Sequence, residues 1–314
     1  MEVVLVVIAL ILTLAVLTAV IVNVFYKKAF VRGEQHLNAG VLGVPWASYA
    51  DVIMQNNEWF ESRVTDKVSI KSYDGLSLAA TIAEQPDAKG TVIVCHGYRS
   101  RGQLDSCCAL EIYYNMGFNL VVIDQRSHGN STGNTITFGL KERYDVAEWV
   151  NFVNARYGYQ KPVILSGISM GCASVLMSIA TKLPDNVCGI VADCGYTSAF
   201  EQLRYILKRD YKLGAWPLLY LVNMKFRRKT GCDLREISTE DVLRNNSIPV
   251  LFIHGGADDF VPTDFSRRNF KACSSDKRLL IVDSAAHGVS CFASPKQYKR
   301  ALTDFVNSVI KNSL

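Results

Sequence analysis

From Val68 onward, short apolar runs alternate with longer stretches of helical character, and that rhythm constrains the fold more than any other feature of the chain. The runs are Thr91 to Cys95, Asn119 to Asp124, Val163 to Ser166, Gly189 to Asp193, Val250 to His254 and Leu279 to Val282. Each is a candidate buried strand. Between them lie helical stretches such as Leu140 to Arg156, Gly171 to Lys182 and Pro295 to Ile310. A β-α-β-α order of this kind predicts an α/β fold with a mostly parallel central sheet and helices on both faces. Ahead of it, Val68 to Ser72 and Leu76 to Thr81 flank Tyr73-Asp74-Gly75, an Asp-Gly turn that predicts a hairpin. Residues 199–245 interrupt the alternation with helical material. An insertion there is expected to lie over the C-terminal ends of the strands as a cap.

The N-terminus obeys different rules. Val3 to Val22 is an unbroken apolar run with only Thr13 and Thr18 as polar members. As a helix it spans about 30 Å, the thickness of a bilayer's hydrocarbon core. A cleaved signal peptide would need a basic start and a small-x-small site, whereas Glu2 stands at the start and Ile21-Val22-Asn23-Val24-Phe25 offers no small pair. We therefore expect one transmembrane helix in residues 1–28, a juxtamembrane connector in 29–66 containing Gly40, Gly43 and Pro45 with a helix near Ser48 to Arg63, and a catalytic domain in 67–314. Lys27, Lys28 and Arg32 follow the run and no Lys or Arg precedes it, which predicts a cytoplasmic catalytic domain.

Nine cysteines, an odd number, with several in apolar segments (Cys95, Cys172, Cys188, Cys194), lean towards a reducing compartment. No Cys/His spacing suits zinc, so no metal is expected. A net charge of +5 is too modest to imply nucleic acid. The charge is unevenly spread: eight basic residues against two acids lie between Tyr196 and Gly231, interleaved with Trp216, Leu219 and Tyr220. A cap carrying that stretch near a bilayer is expected either to be a solvated surface or to rest on anionic headgroups.

Gly167-Ile168-Ser169-Met170-Gly171 follows one strand and opens a helix, the context of a nucleophile elbow. A serine hydroxyl needs a base, and the base needs a carboxylate to orient it, in the chain order Ser, Asp, His. Only His254 and His287 follow Ser169. His254 ends a strand and is expected to be structural, whereas His287, after the last strand, is expected as the base. Asp258, on the loop after Val250 to His254, is expected as the acid, with Asp259 and Asp193 as rivals. Backbone N–H groups of Met170 and of Tyr98, in His96-Gly97-Tyr98, are expected to form the oxyanion hole. Asp124 to Ser131, rich in polar residues, is read as a hydrogen-bonded loop bracing the site.

Together, His96-Gly97-Tyr98, Asp124-x-Arg126-x-His128-Gly129-x-Ser131, Gly167-x-Ser169-x-Gly171, His254-Gly255-x-x-Asp258-x-x-Val261-Pro262 and His287 resemble the α/β-hydrolase superfamily, and within it the Bem46-like and serine-aminopeptidase-like hydrolases. Several of those carry an N-terminal membrane segment. The resemblance covers about Val68 to Ile310. It implies the α/β-hydrolase fold and a cofactor-free hydrolase of carboxylic esters, thioesters or amides, with a small-molecule or lipid acyl substrate. A peptidase, amidase or acyltransferase on the same triad is the alternative. Gly288 departs from the family, where Ala or another small residue often follows the histidine.

Overall fold

The structure, a computed structural model, describes residues 1–33 and 44–311. Gly40 and Gly43 of the expected connector lie outside the described residues. Helix α1 (Glu2–Phe30) is followed by α2 (Val44–Ala47) and α3 (Ala50–Glu61). The hairpin β1 (Asp66–Lys71) and β2 (Ser77–Ala83) forms as its Asp-Gly turn predicts, with Gly75 at φ 88°. Then come β3 (Gly90–Cys95), α4 (Gly102–Asp105), α5 (Cys107–Asn115), β4 (Phe118–Asp124), α6 (Glu142–Tyr157), β5 (Val163–Ile168) and α7 (Met170–Ser178). β6 (Val187–Asp193) leads into α8 (Ala199–Tyr211), α9 (Leu218–Thr230) and α10 (Thr239–Leu243). The chain closes with β7 (Val250–Gly255), α11 (Thr263–Ala272), β8 (Lys277–Val282), α12 (Ser290–Ala293) and α13 (Pro295–Lys311).

The eight strands form one sheet in the order β1-β2-β4-β3-β5-β6-β7-β8, parallel from β4 to β8 and antiparallel across β1, β2 and β4. This is the α/β-hydrolase fold. β3 and β5 to β7 are buried along their length, apart from the half-buried Cys188 of β6. That is why they read as continuous apolar runs rather than alternating ones. One face is covered by α3, α5 and α13, where Phe60, Tyr113 and Phe305 are buried, and the other by α6, α7 and α11 around Trp149 and Phe252.

A third apolar cluster lies above the sheet. There Val22, Tyr26 and Phe30, four residues apart and so on one face of α1, pack with Phe226 of α9, Leu203 and Leu207 of α8, and Phe138. Phe30 and Phe226 have ring centroids 4.6 Å apart, Phe25 and Tyr211 4.9 Å, and Lys225 Nζ donates to Asn23 Oδ1 at 2.6 Å. The rest of α1 projects free: its large apolar residues from Val3 to Val20 are all exposed. Among the described residues it is the one helix long and apolar enough to cross a bilayer.

The lean towards a reducing compartment does not foresee a bridge: Cys108 of α5 and Cys291 of α12 form a disulfide, while the other seven cysteines are in none. Their partners are 183 residues apart in sequence, so no local spacing marks the pair.

Candidate active site

Ser169 sits on the sharp turn between β5 and α7 with φ 56° and ψ −115°, a conformation costly for a residue with a side chain. Both flanking glycines are needed for close approach. A Cβ at Gly167 would lie 2.3 Å from the Gly171 carbonyl oxygen, and one at Gly171 would lie 2.1 Å from that of Cys95. The turn presents the Ser169 hydroxyl at the C-terminal edge of the sheet, where it donates to His287 Nε2 at 2.9 Å.

His287 lies on the loop after β8, and its Nδ1–H donates to Asp258 Oδ2 at 2.7 Å. The loop is held from outside the sheet: Trp46 of α2 donates from Nε1 to the His287 carbonyl at 3.1 Å. Gly288 has a reason to be glycine, since its φ is +70° and a Cβ would meet Trp46 Cζ2 at 2.7 Å.

Asp258 is buried on the loop after β7. Its Oδ1 accepts from the N–H groups of Phe260 (2.9 Å) and Val261 (2.8 Å). His254 Nε2 faces both Asp258 Oδ2 (3.1 Å) and the Val261 carbonyl (2.9 Å). Two acceptors there mean that Nε2 carries the proton, while Nδ1 accepts from the Ser266 hydroxyl at 2.6 Å. His254 is thus buried and bonded to loop backbone as expected, and it also touches the carboxylate. Burial alone would raise the Asp258 pKa. The charge of His287 and the hydrogen bonds from His254 and His287 outweigh it and hold the carboxyl well below the usual range. For His287, burial pulls the imidazole down, but the Asp258 charge and hydrogen bond, with Asp193 and Asp105 behind them, carry it above its ordinary value.

The rival acids are elsewhere. Asp259 is exposed. Asp193 is buried, accepts from Tyr298 Oη at 3.1 Å, and is pushed by burial up to about 6 despite the nearby histidines.

Met170 is the first residue of α7, whose opening N–H groups have no carbonyl within the helix. Gly97 and Tyr98 follow β3, and Gly97 packs so closely that a Cβ on it would lie 3.4 Å from Ser169 Cβ. Sequence reasoning missed what shapes this loop. Asp105, fully enclosed beneath it, accepts from the Gly97 N–H at 2.7 Å and from the Ser100 hydroxyl. Burial pushes its carboxyl up to about 6, with those two hydrogen bonds opposing. The polar Asp124 to Ser131 loop braces the other side: the Arg99 N–H donates to His128 Nε2 at 3.0 Å, and Arg126 is clamped by Asp145 (2.6 Å) and Asp74 (2.9 Å). His96 is buried and accepts from the Gln125 N–H, a structural position.

Cys194 Sγ, an Asp258 oxygen and a His287 nitrogen lie within 4.8 Å of one another, a set with the right elements for a metal. Burial pushes the Cys194 thiol well up, and the other two groups already bond each other.

Above Ser169 opens a cavity of about 240 Å³ walled mainly by apolar side chains, with α1, α8 and α9 supplying most of them and Tyr98, Phe138, Tyr196 and Phe260 closing much of the rest. Among the described residues Asp210 is the one carboxylate lining it, and it is paired with Arg209 at 2.6 Å.

Comparison with known proteins agrees with this architecture. Residues 86–226 match the family described as serine aminopeptidase, S33. The uncharacterized protein YqkD of Bacillus subtilis is 27% identical over 252 residues, 80% of this chain and 82% of its own length. Protein bem46 of Schizosaccharomyces pombe is 23% identical over 256 residues, 79% and 76% of the two chains. Among solved structures, the Pyrococcus furiosus esterase Pf2001 superposes with a TM-score of 0.65 at 20% identity, over 79% of this chain and 94% of that one.

Proposed function

We propose that this chain, which has the fold of the α/β hydrolases, is a membrane-anchored serine hydrolase that cleaves a carboxylic ester or thioester through an acyl-enzyme intermediate. The observation that carries the reading is the continuous line of hydrogen bonds from Ser169 Oγ through His287 to Asp258.

In that reading His287 Nε2 takes the Ser169 proton as Oγ attacks the acyl carbon, and Asp258 stabilises the imidazolium that forms. The oxyanion is met by the N–H groups of Met170 and Tyr98. His287 then protonates the departing alcohol or thiol, leaving the acyl group on Ser169. Water enters with His287 again as base, and the carboxylic acid leaves. All steps use the chain's own groups.

An amide or peptide bond could be cleaved by the same groups, and another alcohol could replace water. An aminopeptidase must also hold a protonated amine near the nucleophile, and the one carboxylate lining the cavity among the described residues, Asp210, is already paired with Arg209. The apolar walls favour an acyl chain and thus an ester.

The test is covalent. A fluorophosphonate should label the wild-type chain, and Ser169→Ala should abolish labelling and lower turnover by about a millionfold while leaving the protein folded. Labelling that persists in folded Ser169→Ala protein would remove Ser169 from the role.

The free apolar part of α1 supports anchoring, and Lys27, Lys28 and Arg32 at its C-terminal end favour a cytoplasmic catalytic domain. The Cys108–Cys291 disulfide favours the opposite side, because such bonds persist in oxidising compartments.

A further inference from the structure

We propose that α1 is a wall of the acyl pocket as well as an anchor, so that the substrate is a long-chain acyl ester reaching Ser169 from the bilayer along this helix; the inference rests on the serine-hydrolase reading above.

The cavity that contains Ser169 is bounded on one side by Phe25, Lys28, Ala29 and Phe30, the last turns of α1. These residues come directly after the apolar run. If Val3 to Val22 lie in hydrocarbon, Phe25 to Phe30 stand at the level of the headgroups, and the pocket begins where the bilayer ends. An acyl chain passing from lipid to pocket then exchanges one apolar environment for another and crosses no water.

Two further observations point the same way. The end of α1 is fixed to the site: Tyr98 Oη donates to the carbonyls of Lys28 (3.1 Å) and Ala29 (3.0 Å), and the Arg99 guanidinium donates to those of Lys28 (3.1 Å) and Val31 (3.0 Å). Tyr98 is itself a proposed oxyanion donor and Arg99 follows it, so these bonds tie the end of the helix to the reacting centre. The cap beside α1 is also apolar on its outside. Leu213, Trp216, Tyr220 and Met224 are exposed, Trp216 by 79%. Arg204, Arg209 and Arg227 of the cap, by contrast, are engaged by Glu201, Asp210 and Asp233. Lys208, Arg228 and Lys229 of the cap are exposed, so this surface offers rings for the interface and charge for the headgroups together.

The test uses the full chain in nanodiscs of phosphatidylcholine, with p-nitrophenyl esters from acetate to decanoate. Each methylene that enters the cavity should raise kcat/KM about fourfold, until the pocket is full. Ala29→Trp, which fills the α1 side of the cavity, should lower the decanoate-to-acetate ratio at least about tenfold. If that variant no longer reacts with a fluorophosphonate, Phe25→Ala, which removes wall instead, is read in its place and should flatten the chain-length dependence. A long-chain ester carried in the enzyme's own nanodiscs should be cleaved at least about tenfold faster than the same ester in separate protein-free vesicles. A flat chain-length profile, an unchanged ratio in both α1 variants, or equal rates from the two lipid sources overturns the proposal while acetate turnover and Ser169 labelling leave the serine hydrolase standing. Absence of both turnover and labelling in the wild type removes the hydrolase reading and this one with it.

Discussion

At the scale of residues, the arrangement around Asp258 makes a sharp comparison possible. Asp258→Asn should cut the acylation rate by about 10⁴-fold, because an amide cannot hold the imidazole in the tautomer that accepts the serine proton. Asp259→Asn, at an exposed position next door, should leave that rate nearly unchanged. Stopped-flow acylation decides, and equal losses would transfer the role. The pH profile follows from His287, which must be neutral to act as base. Its pKa is raised above the ordinary 6.5, so kcat/KM should rise with pH through an apparent pKa above that value and fall away below it. Substitution of Asp258 removes the main cause of the raised value and should move the inflection to lower pH. Ser169, Asp258 and His287 were legible from sequence because each sits in a short local pattern at the end of a strand. Asp105, Trp46 and the second contact of His254 were not. Asp105 works through Gly97 and Ser100 on a loop it does not belong to, and Trp46 reaches His287 across 241 positions.

At the scale of elements, Arg126 links three of them. It leaves the end of β4, pairs with Asp145 on α6 and reaches Asp74 in the hairpin turn, and its side chain is only 3% exposed. A buried charge of this kind is costly when one partner is removed. Asp145→Ala should therefore destabilise the fold by about 3–5 kcal/mol, read from urea unfolding. A loss below about 1 kcal/mol would show that water replaces the carboxylate without difficulty. The strands were legible because full burial on both faces leaves unbroken apolar runs. Short helices such as α4 and α12 have one turn each and no periodicity to detect. The helices of the insertion were foreseeable as a group, but their packing against α1 was not, since the signal in Val22, Tyr26 and Phe30 is masked by the apolar run that precedes them.

At the scale of the whole molecule, if α1 spans a bilayer as proposed, the charge bias and the disulfide favour opposite sides for the rest of the chain, and one experiment separates them. In sealed right-side-out vesicles, a cytoplasmic domain should resist added protease until detergent is present, whereas an exported one should be cut at once. Non-reducing electrophoresis of the same samples should show the Cys108–Cys291 bridge only in the second case.

The hydrogen bonds from Tyr98 and Arg99 to the carbonyls of Lys28, Ala29 and Val31 have a practical consequence. The obvious way to obtain a soluble form is to cut the chain where hydrophobicity ends, near Lys28. That cut would remove Phe25 and Lys28 from the cavity and leave Tyr98 and Arg99 without half of their partners. A fragment made this way would express a different enzyme, with a frayed loop beside the nucleophile and one side of its cavity open to water. A cut before Val22 would keep Val22, Tyr26 and Phe30, the buried residues of α1, and with them the wall that this helix gives to the cavity.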